Sequence, residues 1–358
     1  MRSACVAAVI LGCFGSATTG AVAQGMDGFP SVNLMGFGDV DFEASDAPGP
    51  EGFRLGQLVG HLSAALSDRV NVFGEVAATS RTDEVRFTVE RLIVRYDLRD
   101  AFKIGAGRYH TPIDYWNESY HHGLWLQTTV GRPQSIAGAS VIPVHFVGLM
   151  VEGNVPGRAG VGYSVGVGNG RHEDIGLSGE AGDVNQNRAV IGELYFEPSA
   201  PAGLRLGGAM YADRLSPGTT SAEIDERIVS AHAVLDRERP EVIAQYLRFS
   251  HDVSGVDDDR SSGDAYYLQL AYRLGGGLSR VKPYVRGERI EIDVGHPLYD
   301  QERERSVLIG GARFDVSPYA ALKVEYQRQR VAREWTNTLA LQASFVAASF
   351  GGGGAAAP

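Results

Sequence analysis

Apolar and polar residues alternate with a period of two over most of this chain. Val70, Val72, Gly74 and Val76 alternate with Asn71, Phe73, Glu75 and Ala77, and Leu204, Leu206, Gly208 and Met210 alternate with Arg205, Gly207, Ala209 and Tyr211. The same pattern recurs at Val161–Val167, Val281–Glu288 and Leu322–Gln327. Successive side chains of a strand point to opposite faces, so each run predicts a strand with one apolar face and one polar, charged or small face. The runs place strands near residues 31–43, 53–65, 70–77, 85–96, 102–110, 140–153, 160–168, 189–196, 204–212, 228–235, 242–250, 264–274, 281–289, 306–314, 321–327 and 336–346. A soluble sandwich shows such alternation too, so periodicity alone does not choose between a sandwich and a membrane barrel.

The connections carry more information. Short ones hold turn residues, as in Ser67-Asp68-Arg69, Asp97-Leu98-Arg99-Asp100, Val155-Pro156-Gly157, Glu197-Pro198-Ser199, Gly275-Gly276-Gly277 and Asp315-Val316-Ser317-Pro318. Longer ones fall between them, near 44–52, 78–84, 111–139, 169–188, 213–227, 251–263, 290–305 and 328–335. No segment beyond residue 23 is a long apolar helix. A membrane-spanning form of this chain must therefore be a closed barrel, because every backbone polar group in lipid needs a partner. The fold class expected is all-β: a transmembrane antiparallel β-barrel of about sixteen strands, with short periplasmic turns and long extracellular loops. Pro143 and Pro283 fall in or near expected strands, which a closed barrel tolerates poorly. Pro283 is expected at a strand start, and Pro143 suggests that the sixth strand begins later, near Val144.

The N-terminus adds an address. Arg2, an apolar run from Ala4 to Phe14 and then Ala21-Val22-Ala23 have the order of a secretory signal, so residues 1–23 are expected to be removed, leaving a barrel over 24–350. Ile10-Leu11-Gly12 before Cys13 leaves a lipoprotein signal as an alternative. Both cysteines, Cys5 and Cys13, lie in that segment, which leaves the mature chain without disulfides, thiolate metal ligands or a cysteine nucleophile. Losing Arg2 and no acid moves the formal charge from -10 to about -11. An acidic chain without a basic block argues against nucleic acid as a partner.

At the other end, Leu339, Leu341, Ala343 and Phe345 alternate with Ala340, Gln342 and Ser344, and the run closes at Phe350. A last strand ending in an aromatic residue resembles the signal read by the barrel-assembly machinery, although residues 351–358 extend past it as a Gly/Ala tail expected to be flexible. Val89-Glu90-Arg91-Leu92-Ile93-Val94-Arg95-Tyr96, followed by Ile104-Gly105-Ala106-Gly107-Arg108-Tyr109-His110-Thr111-Pro112, resembles Gram-negative porins, nearest to the phosphate-selective porin O and P type. Lys282-Pro283-Tyr284-Val285-Arg286 and Ala321-Leu322-Lys323-Val324-Glu325-Tyr326 have the same character. The resemblance implies a sixteen-stranded barrel, often a homotrimer, seated in outer-membrane lipid and passing small hydrophilic solutes or ions.

Two sets of residues are candidates for the site. Arg91, Arg95, Lys103, Lys282, Arg286 and Lys323, together with Glu75, Glu152, Glu288 and Glu325, fall on the phase expected to face the lumen. Rows of both signs orient hydrated solutes but select ions weakly, and the same residues can simply pair across strands. The second set lies in 111–139, which lacks periodicity and carries Tyr115, Trp116, Tyr120, His121, His122, Trp125 and Arg132. Structureless loops longer than about 12–15 residues are usually functional or disordered, and this aromatic content argues against disorder. In porins the third extracellular loop often folds inward, and this is the third long loop, so it is the expected pore constriction; an outer aromatic girdle or a subunit contact is the other reading of its tryptophans.

Other chemistry is not expected. His110, His121 and His122 carry imidazoles that bind zinc or copper, yet adjacent histidines on an extended chain point apart and no carboxylate or cysteine stands at a matching spacing, so no metal or cofactor is anticipated. The Asp257-Asp258-Asp259 run does not follow a calcium-loop spacing. No G-x-S-x-G, H-E-x-x-H or phosphate-loop motif occurs, and Gly166-Val167-Gly168-Asn169-Gly170 ends a strand rather than opening a helix. Besides a channel, a barrel enzyme or adhesion module acting through its loops and a secreted all-β binding protein remain open.

Overall fold

The computed structural model describes residues 28–49, 51–80, 84–123, 127–137, 140–171, 185–216, 222–255, 260–299, 303–331 and 334–349. The expected signal at 1–23, the tail at 351–358, Trp125 and the Asp257–Asp259 run lie outside these residues.

Sixteen antiparallel strands form one closed barrel, each paired with its sequence neighbours. They are β1 (Ser31–Ser45), β2 (Gly52–Ala65), β3 (Val70–Ser80), β4 (Val85–Arg99), β5 (Phe102–His110), β6 (His145–Asn154), β7 (Val161–Asn169), β8 (Ala189–Phe196), β9 (Leu204–Leu215), β10 (Ile224–Leu235), β11 (Glu241–Val253), β12 (Arg260–Ala271), β13 (Val281–Ile292), β14 (Arg305–Ser317), β15 (Ala320–Val331) and β16 (Glu334–Ser349). One six-residue helix, α1 (Tyr115–Tyr120), interrupts the series between β5 and β6. β1 closes on β16 from Leu34 opposite Ser349 to Ser45 opposite Thr338. Closure removes both sheet edges, so the wall leaves no unpaired ladder to lipid.

The alternation sorts residues as the pattern required. On β4, Phe87, Val89, Leu92, Val94, Tyr96 and Leu98 face outward and are exposed. On β16, Leu339, Leu341 and Phe345 do the same while Gln342 and Ser344 are buried inside. Many outward aromatics lie toward the two ends, Tyr96, Phe196, Tyr272, Phe314 and Tyr319 by the short turns and Phe53, Phe87 and Trp335 at the opposite end, while Tyr246, Tyr266 and Tyr326 lie in mid-strand. Aromatic rings favour the two interfaces of a bilayer, and this placement brackets the apolar belt between them.

Two of the expected boundaries need correction, and the placing of Pro283 is met. β6 begins at His145, next to the Val144 that Pro143 pointed to and not at 140; residues 140–144 stay off the wall, where Pro143 would have cost a ladder hydrogen bond. Pro283 lies near the start of β13 as expected, as its third residue, opposite Ala312. Several strands also run further than expected, so β15 and β16 are separated by residues 332–333 alone and the connection placed at 328–335 is short. Polar residues such as Gln327 and Gln329 continue the ladder there, which a hydrophobic period does not reveal.

β5 and β6 are short, and this positions the site. The chain leaves the wall after His110 and rejoins it at His145, and these two residues face each other in the ladder. Between them lies a long segment that turns inward. Its landing is made by Gly148 opposite Gly168, where a Cβ at either position would meet the Phe146 ring within 3.0 Å.

Candidate functional site: the lumen and its inserted segment

The segment from Thr111 to Val144 is closed at its base by Thr111 N donating to the Val144 carbonyl at 3.0 Å. Asn117 Nδ2 donates to the same carbonyl at 2.9 Å and to the Thr111 carbonyl at 3.1 Å. Asp114 starts α1: its carboxylate accepts from Trp116 N at 2.9 Å, from the Tyr267 hydroxyl at 3.2 Å and from Ser135 Oγ at 3.3 Å. Full burial pushes the Asp114 carboxyl up to about 6, against the pull of these donors. Burial also raises Glu118, opposed by the Arg205 guanidinium, and lowers His121 and His122, the latter partly restored by Glu90.

Apolar contact holds one side of the segment down. Ile113, Tyr115, Trp116, Ile136 and Ile142 are buried in one cluster with inward residues of β8 to β13, among them Ile191, Tyr211, Ile243, Leu247 and Phe249. Tyr115 N donates to Gln245 on β11 at 3.2 Å, and Tyr120 packs edge-on against Tyr115 at 6.0 Å. Arg132 lies over the Trp116 ring at 5.8 Å and reaches Gln57 on β2 at 3.4 Å.

Charged side chains of β11 and β13 to β15 grip the other side. Arg286, fully buried, donates to Glu288 at 2.7 Å, to Thr129 Oγ1 at 3.0 Å, and to the carbonyls of Gly131 and Arg132 at 3.1 Å. Lys323 Nζ donates to the Thr129 carbonyl at 3.0 Å and Arg313 to the Gln127 carbonyl at 3.0 Å. Glu325 accepts from Val130 N at 2.9 Å, Glu288 from Gln134 N at 2.6 Å, and Glu241 from Thr128 Oγ1 at 2.8 Å while also pairing with Lys282 at 2.7 Å. These contacts place the described residues of 111–144 inside the barrel, against the wall of β8 to β15, with Arg132 reaching across to β2.

The ten charges on the inward phase therefore divide. Lys282, Arg286, Lys323, Glu288 and Glu325 are buried at the wall that grips the segment. Arg91, Arg95 and Glu152 line a cavity of about 520 Å³ at the short-turn end, together with Tyr109, His110 and Glu118. Arg95 pairs there with Asp97 at 2.7 Å and Glu152 at 2.8 Å, and Arg91 pairs with the buried Glu75. Lys103 stands 3.7 Å from Asp100 in the adjoining turn. A second buried network closes the β10–β11 side of the other end, where Glu226 accepts from Arg171 at 2.8 Å and faces His251 at 2.9 Å, whose Nδ1 lies 3.0 Å from His296 Nε2. Sequence reading missed this network because Arg171 and His296 come from loops that carry no period.

Five further residues converge where the segment leaves the wall. Glu90, His110, His121, His122 and His145 are all buried, and one potential ligand atom of each lies within 4.8 Å of the others. Glu90 is the extra residue of a bulge, since Glu75 pairs with Arg91 and Val76 with Val89. The chain at His121 is not extended: it caps α1 with φ -47° and ψ -46°, so the two adjacent histidines turn toward one cluster. The expectation that they point apart is corrected on this ground. His145 was missed because it falls 23 positions after His122. The strand ends held the signal, as pairing across the β5–β6 hairpin sets 110 opposite 145.

The fold is that of the porins. The anion-selective porin from Comamonas acidovorans superposes with a TM-score of 0.67 at 12% identity, over 88% of this chain and 99% of that one. OmpF of Salmonella typhi in complex with daunomycin gives 0.60 at 12% identity, and the outer membrane channel DcaP of Acinetobacter baumannii 0.60 at 11%, each over 88% of this chain and 97% of the other. No family model and no curated protein sequence matches the chain. Identity this low speaks for the shared fold and not for a shared solute.

Proposed function

We propose that the protein is an outer-membrane channel for passive diffusion of small hydrophilic solutes, with residues 111–144 as its constriction. The observation that carries this reading is the inserted segment, held by inward polar side chains inside a barrel of sixteen strands. Barrels of about that size leave an aqueous lumen unless something fills it, and a segment gripped from two walls narrows the lumen to a fixed bore. Selectivity is weak, because Arg91 and Arg95 share the short-turn cavity with Glu118 and Glu152. A phosphate preference is not favoured: Arg286, Arg313 and Lys323 spend their donors on segment carbonyls. Assembly as a trimer, the form of one OmpT structure from Vibrio cholerae, belongs to the same proposal.

Liposome swelling with uncharged sugars of rising size tests the reading. Swelling is expected for the smallest sugars and a steep fall as size increases. A folded, inserted barrel that admits none of them would mean a plugged lumen and would move function to the loops.

A further inference from the structure

We propose that Glu90, His110, His121, His122 and His145 form a binding site for a late first-row divalent transition-metal ion, Zn²⁺ or Cu²⁺, that clips the inserted segment to β4, β5 and β6. The proposal concerns the segment's attachment and does not rest on conduction.

The donor set is the first ground. Four imidazoles and one carboxylate offer up to four nitrogens and one oxygen, a set that suits zinc, copper or nickel and not the oxygen-seeking Mg²⁺ or Ca²⁺. Glu90 Oε2 already stands 3.1 Å from His122 Nε2 and 3.0 Å from His145 Nε2. The ring centroids of His110 and His121 are 4.6 Å apart, and those of His121 and His122 4.3 Å. Metal–nitrogen bonds of about 2.0–2.1 Å hold ligand atoms no more than about 4.2 Å apart. The present spread of 4.8 Å thus closes with ring rotations and shifts of a few tenths of an ångström.

The second ground is independent of proximity. His110 is 6% exposed, yet neither of its ring nitrogens has a hydrogen-bond partner, and Nδ1 of the equally buried His121 has none. Buried polar atoms without partners are costly and rare. One ion would give a nitrogen of each ring a partner. A purely structural histidine stack would leave these atoms unpaired inside the barrel.

Access and charge are compatible with binding. His110 also lines the 520 Å³ cavity at the short-turn end, which gives an ion a route in. Arg91 is neutralised by Glu75, and the Glu90 carboxylate brings a negative charge into the cluster itself. Cys5 and Cys13 both lie in the expected leader, so no thiol of the mature chain competes for the ion.

The test uses the full mature protein, refolded without an oligohistidine tag and stripped with a chelator. Calorimetric titration with Zn²⁺ is expected to show one ion per chain. Exchanging both loop histidines, His121→Asn and His122→Asn, is expected to weaken binding by about a hundredfold or more, while His232→Asn, outside the cluster, leaves it unchanged. Heat-modifiable gel migration establishes that each variant is folded. Because the double variant alters two buried side chains, Cu²⁺ electron paramagnetic resonance on the unaltered barrel gives a second reading: hyperfine splitting from several nitrogens is expected. A folded protein that takes up no Zn²⁺, a double variant that binds as tightly as the parent, or a copper spectrum with oxygen ligands only overturns the proposal.

Discussion

Excising residues 112–143 and closing the gap with a short Gly-Ser bridge raises single-channel conductance several-fold. The segment packs on the β8–β13 apolar cluster and the charged face of β13 to β15 and reaches across to Gln57 of β2, so removing it merges the space on either side of it. The newly wetted wall carries Lys282, Arg286, Arg313 and Lys323 against Glu241, Glu288 and Glu325, so the ion preference shifts only slightly toward anions. The barrel ladder does not pass through the excised residues, since β5 and β6 already pair from Lys103 opposite Glu152 to His110 opposite His145. The variant is still expected to be less stable, because Ile191, Ile243, Leu247 and Phe249 lose their cover. Planar-bilayer recordings of parent and variant decide the matter. Equal conductance would show that 111–144 does not set the bore.

Arg286→Ala has the next largest expected effect. Its guanidinium is fully buried and serves Glu288, Gln269, Thr129 and two carbonyls of the segment. Truncating one member of a buried ion pair leaves the other charge uncompensated and costs about 3–5 kcal/mol. That cost falls on the segment and not on the ladder, so the segment is expected to detach while the barrel persists. The readings are a noisier open channel, larger mean current and faster proteolytic cleavage within 127–137, with heat-modifiable migration retained. Arg286→Lys keeps the charge but loses the planar fork and is expected to be intermediate. Quiet parental currents from Arg286→Ala would remove this side chain as an anchor.

How much of this was legible in the sequence follows from which forces act locally. The wall was readable because a strand has only two faces and the outer one must satisfy lipid: Val94 and Leu341 face out, Arg95 and Gln342 face in, as their phase requires. Strand ends were less readable, since Gln327, Gln329 and the residues around Pro143 obey hydrogen bonding and not hydrophobic period. The segment after β5 stood out by its length and aromatics, but its contacts could not be read. Arg286, Lys323 and Glu325 meet it from more than 150 positions away, and only closure of the barrel brings them there. The imidazole cluster shows the same limit on a smaller scale. Three of its histidines were singled out, and the helix turn at His121, the bulge at Glu90 and the β5–β6 register were what joined them to the rest.

The most direct test of the central claim is single-channel recording of the unaltered, refolded barrel in a planar bilayer under a salt gradient. Discrete conductance steps with a small reversal potential are expected, as a fixed bore flanked by both signs of charge requires. Absence of steps from a protein shown to be folded and inserted would contradict the claim, and would mean that 111–144 seals the lumen instead of narrowing it.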